Sequence, residues 1–142
     1  MRNIAIRYGL IMATGFILYF LIMQALGFGG NYYFRIFNAV IHLSIITVAI
    51  KAYKDRYPDE FNYISGVVTG VVTSLVGVIP FAIFMLIFLS LTPDFMESIR
   101  LEAENVGRYL TPFTASLIVL LEGLAVSVLA SYIIMRIVDS YR

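Results

Sequence analysis

Charged residues divide this chain into long apolar runs. Residues 8–34 carry no formal charge, nor do 36–50 or 61–93, and the stretch from Tyr109 to Met135 is interrupted only by Glu122. A helix crossing a hydrocarbon core of about 30 Å needs about 20 residues. The pattern therefore predicts four spans, near 8–28, 34–53, 63–91 and 112–135, within one transmembrane domain covering 1–142. The second window is short, so Arg35 and Lys51 must reach out to the two interfaces, as long basic side chains do.

The third run contains Gly66-Val-Val-Thr-Gly-Val-Val-Thr-Ser74, whose β-branched residues in water favour a strand. A membrane strand takes about 9–11 alternating residues, and this uncharged run is far longer, with no alternation. In lipid the backbone must satisfy its own hydrogen bonds, so a helix is expected. Arg2 and Arg7 precede an apolar run longer than the usual core of a secretory signal, about 7–15 residues. That run is read as the first membrane helix.

Orientation follows from Lys and Arg near the span ends. Arg2, Arg7, Lys51, Lys54, Arg56, Arg136 and Arg142 fall on one side, and Arg35, Arg100 and Arg108 on the other. Both termini are expected to be cytoplasmic. Tyrosines such as Tyr8, Tyr53, Tyr63, Tyr109 and Tyr132 fall near the borders, where an aromatic belt belongs.

Composition narrows the chemistry. The chain is 61% hydrophobic and 13% charged, has no cysteine or tryptophan, and contains one histidine. A soluble domain of this length cannot bury so much hydrocarbon. The absence of cysteine removes disulfides, thiolate catalysis and cysteine-ligated metals. A net charge of +1 gives no basis for nucleic-acid binding. There is no H-E-x-x-H or P-loop motif, and no serine–histidine–acid set at a common depth. A single histidine does not provide a bis-imidazole haem. No cofactor or metal site and no enzymatic activity are expected.

The connections are short. Gly27-Phe-Gly-Gly-Asn31 reads as a tight hairpin turn, and Lys51–Glu60 as a solvated connector of mixed charge. On the exterior side, Thr92-Pro93-Asp94 carries helix-start chemistry. Phe95, Met96, Ile99, Ala103, Val106 and Leu110 follow at helical spacing, predicting a short amphipathic helix over the bundle mouth. Thr111-Pro112 repeats the start signal for the fourth span.

Two groups of residues stand out within the spans. Gly66, Gly70, Ser74 and Gly77 form a small-residue stripe on the third span, and Gly123, Ser127 and Ser131 another on the fourth. Such stripes let helices approach closely in lipid, either within one chain or between two copies. The second group is polar. Glu122 lies about ten residues inside its span, where an unpaired ionisable group costs about 3 kcal/mol or more. His42 lies at a similar depth in the second span, roughly 12–15 Å at about 1.5 Å per residue. A His42–Glu122 pair is therefore expected, with Asn38 and Gln24 extending it.

The segments Met1-Arg-Asn-Ile-Ala-Ile-Arg-Tyr-Gly-Leu-Ile11, Ile50-Lys-Ala-Tyr-Lys-Asp-Arg56 and Leu91-Thr-Pro-Asp-Phe-Met-Glu97 together resemble a bacterial family of small four-helix membrane proteins of unknown function. The resemblance implies an all-α integral membrane four-helix bundle in the inner membrane and supplies no activity. The expected role is a non-enzymatic accessory or assembly subunit, in contact with the lipid bilayer and with a membrane-protein partner or a second copy. One alternative is a small proton-coupled transporter or channel-like homo-oligomer using Glu122 and His42. Another is lipid or quinone binding between helices.

Overall fold

The computed structural model describes residues 1–29 and 32–140, Tyr32 by its backbone alone. Gly30 and Asn31 of the expected hairpin and Arg142 of the charge count thus lie outside the described residues. The chain forms α1 (Arg2–Ala25), a 3-10 turn (Tyr32–Phe34), α2 (Arg35–Arg56), α3 (Tyr63–Leu91), α4 (Pro93–Glu102), α5 (Glu104–Gly107) and α6 (Pro112–Ser140). Four of these helices, α1, α2, α3 and α6, are long and apolar enough to cross a membrane. The β-branched stretch of the third span is helical throughout, and the architecture is an all-α membrane bundle.

Helix α3 is the hub. It packs most extensively along α6 and α1, while α2 lies over the seam between α1 and α3 and touches α6 more lightly. The register is fixed by close approaches. A Cβ on Gly66 would meet the Met135 side chain, one on Gly70 that of Ser131, and one on Gly123 that of Val78, so α3 and α6 run antiparallel with glycine in the seam. Against α1, which runs parallel, Gly77 faces Met12 and the Phe81 ring meets that of Phe16 at a tilt, with centroids 5.3 Å apart. In lipid, close contact of this kind replaces the hydrophobic drive between helices.

The seam also carries hydroxyls. Thr69, Thr73, Ser74, Ser127 and Ser131 are fully buried beside Met12, Ile46, Ile50 and Met135. Thr69 and Thr73 each donate to the carbonyl four residues back, at 2.7 Å, so their polar atoms are satisfied within α3.

The helix ends differ from the sequence expectation in instructive ways. Helix α1 begins at Arg2, six positions before the predicted span, because a basic side chain at a helix end can extend to the interface. Thr92 joins α3 to α4 but makes no side-chain cap bond. The expected exterior helix is broken in two at Ala103–Glu104, where Glu104 takes a positive φ of 38°. Its apolar face is used in the first half, where Met96 is buried and Phe95 packs on Phe20 and Phe88, while Val106 beyond the break is exposed. Arg100 Nε donates to the Leu110 carbonyl at 2.8 Å, tying α4 to the approach to α6. At the opposite end, Asn62 and Ser65 form a reciprocal capping box that starts α3.

Candidate ligand cleft between α2 and α6

Because α2 touches α6 only lightly, a cleft of about 90 Å³ opens between them. One face of α2 supplies Arg35, Asn38, Ala39 and His42, at spacings of three or four residues that bring side chains to one side of a helix. Opposite, α6 supplies Val119, Glu122, Gly123 and Val126 on the same periodicity. Phe16 of α1 with Val78 and Phe81 of α3 close the back. The walls are apolar and the polar groups few and convergent, the usual character of a small-ligand site.

The polar groups are paired differently from the sequence expectation. Glu122 accepts a charge-assisted hydrogen bond from the Arg35 guanidinium, not from His42. Both partners are about half exposed at the cleft mouth, 47% and 55% for their side chains. His42 is 4% exposed, and its Nε2 lies 2.8 Å from Ser74 Oγ on α3. Phe16 meets its ring edge-on, centroids 5.5 Å apart. The expected His42–Glu122 bond is therefore absent, although both residues line the same cleft. The depth comparison assumed that the two spans begin at one level. Instead the first residue of α2 reaches a position ten residues inside α6, so α6 extends beyond α2 at this end.

Asn38 completes the site. It lines the cleft with the others, while its Oδ1 is enclosed and accepts no hydrogen bond from the described residues. Gln24 lies elsewhere: its Oε1 sits over Gly29 in the α1–α2 connection, where a Cβ would come within 1.9 Å of it. Nearby, Tyr19 donates to the Phe34 carbonyl at 2.8 Å and holds the same connection.

Arg35 is the site residue that reading the sequence missed, since a basic residue at a span end looks like an interface anchor. Its signal was present: Arg35, Asn38 and His42 share one helical face. Ser74 was assigned to packing and is also the histidine's hydrogen-bond partner. The small-residue stripe of Gly66, Gly70, Ser74 and Gly77, with Gly123 and Ser127 of α6, faces inward and is occupied by Met135, Ser131, Met12 and Val78 of the same chain. Among the described residues, no three His, Asp or Glu side chains converge on a point where a metal could be held.

The arrangement can hold a small polar group, with opposite charges at the entrance and an asparagine and a histidine behind them. No curated protein and no solved structure matches the chain. Residues 7–109, from α1 to the segment just before α6, match one family model and include every α2 and α3 residue of the cleft, while Glu122 lies beyond the match. The chain belongs to that family, described as Protein of unknown function (DUF4199).

Proposed function

We propose that this chain is a non-enzymatic multi-pass protein of the bacterial inner membrane, both termini cytoplasmic, that works by holding the polar head of an amphipathic guest in the α2–α6 cleft. The observation that supports this reading is the cleft itself, where Arg35, Asn38, His42 and Glu122 converge between apolar walls. The accessory-subunit reading rests on four spans with little mass outside them, and the glycine stripes offer it no free contact surface, since those residues are occupied within the bundle. Proton passage would need the route to continue past His42, where Met12, Ile46 and Ser74 are fully buried.

The test is extraction of the full chain into nanodiscs from its native membrane, followed by mass spectrometry of retained small molecules and proteins. Ala39 lines the cleft at an exposed position, so Ala39→Phe fills the cleft without disturbing the core. Wild type should retain an amphiphile that Ala39→Phe loses, while Ile118→Phe on the outer face of α6 keeps it. Equal retention by wild type and Ala39→Phe, with a stoichiometric membrane protein accompanying both, would replace this reading with the accessory-subunit one.

A further inference from the structure

The long helices share one border but not the other, and their contacts fix the heights. Met135, Ser131 and Gly123 of α6 lie against Gly66, Gly70 and Val78 of α3, and Ile46 and His42 of α2 against Gly70 and Ser74. Counted along these antiparallel pairs, Lys51 and Arg136 both stand level with Ser65, near the start of α3. At the other end α6 begins close to the level of Leu91, where α3 finishes. Arg35, the first residue of α2, is level only with Phe81, and its partner Glu122 with Ile79.

The charge-free height therefore differs around the bundle. From Ser65 to Leu91 along α3 it is about 39 Å, but from Lys51 to Arg35 along α2 only about 24 Å, at about 1.5 Å per residue. A hydrocarbon core of about 30 Å matches neither. The usual remedy for a short span is a basic side chain that reaches out to the interface. Here the guanidinium lies instead across the α2–α6 gap on Glu122. Both side chains stay about half exposed, in a surface that is otherwise apolar. Ile36, Phe37 and Val40 of α2 and Ile118 and Leu121 of α6 are all exposed around them. Charged groups set in a lipid-facing surface are tolerated where the bilayer thins and water reaches them.

We infer that the α2–α6 side of the bundle thins the leaflet nearer α4, drawing phospholipid headgroups and water down to Arg35 and Glu122. The partner of this surface is the lipid itself, whether or not a guest sits in the cleft. Ile79 and Ile83, exposed on the face of α3 turned away from α2, meet lipid of full depth.

The chain has no cysteine, so single cysteines report on local wetting in the full chain. Ile36 and Ile79 stand at nearly one level on opposite sides, as do Ile118 and Ile83. Each is replaced by Cys in dioleoylphosphatidylcholine liposomes and exposed to a membrane-impermeant maleimide. Glu97→Cys on the exposed face of α4 sets full access for copies with α4 outward. Ile36→Cys and Ile118→Cys should react about tenfold faster than Ile79→Cys and Ile83→Cys, because the thiolate is the nucleophile and apolar surroundings suppress it. Adding Arg35→Leu/Glu122→Leu should bring each fast site down to the rate of its matched partner. If that variant fails to fold, Arg35→Gln/Glu122→Gln, which keeps both shapes, must still slow both sites. Equal rates within each matched pair in the otherwise unchanged chain, or fast rates that survive loss of both charges, overturn the inference. Ala39→Phe, which fills the cleft, should leave both rates high. Loss of the difference on filling would mean that the cleft and not the leaflet carried the water, overturning the thinning while the guest site stands.

Discussion

Gly70 faces Ser131 across the α3–α6 seam so closely that an added Cβ would lie 2.2 Å from Ser131 Oγ and 3.1 Å from Ile46 Cγ2. Gly70→Ala must push two helices apart, and overpacking of this kind costs about 1–3 kcal/mol. Gly66→Ala should cost less, because the obstructing atoms belong to the flexible thioether end of Met135. Ser131→Gly should recover much of the Gly70→Ala loss, since Ser131 Oγ makes no hydrogen bond that the change would remove. Thermal unfolding in micelles gives this ranking directly. A neutral Gly70→Ala would mean the seam is looser than described. The spacing of these small residues was legible in the sequence, but whether the stripe faced inward or toward another copy was not. Periodicity reports which residues share a face and says nothing about what lies opposite. The same limit explains Glu122: its need for a partner could be read, and the identity of that partner depended on the relative level of two helices.

Helix boundaries were legible where a proline marks them, as at Leu91-Thr-Pro93 and Thr111-Pro112, but not where a charge does: α1 starts at Arg2 and α6 runs past Arg136 to Ser140, five residues beyond the expected end of its span. Thr111 behaves as its start signal predicts, its Oγ1 accepting from Thr114 N at 3.1 Å while Thr114 Oγ1 accepts from Thr111 N. Thr92 does not, because it terminates α3 and starts α4 at once and its backbone follows the bend. The strongest cap, Asn62 with Ser65, was passed over because its residues lie in an uncharged run that reads as membrane. This contrast is testable. Asn62→Ala should destabilise the start of α3 by about 0.5–2 kcal/mol, while Thr92→Ala should be near neutral. Hydrogen exchange at the first turns of α3 and α4 checks both. A larger effect at Thr92 than at Asn62 would contradict the assignment of the caps.

For the molecule as a whole, the bundle and its cleft have one origin. Helix α3 binds α1 and α6 along most of its length through glycine and serine, and α2 lies over the α1–α3 seam, so its approach to α6 stays light. Two polar groups that cannot remain alone in lipid, Arg35 and Glu122, meet across that gap, with Asn38 and His42 behind them. The central claim is that Glu122 is bound to Arg35 and not to His42. A double-mutant cycle on thermal stability in micelles tests it most directly, using Arg35→Gln, His42→Ala and Glu122→Gln singly and in pairs. The structure predicts strong coupling between Arg35 and Glu122, the double variant being more stable than the two single losses together imply, and additive losses for His42 with Glu122. Coupling of Glu122 to His42 with additivity at Arg35 would contradict the cleft as described.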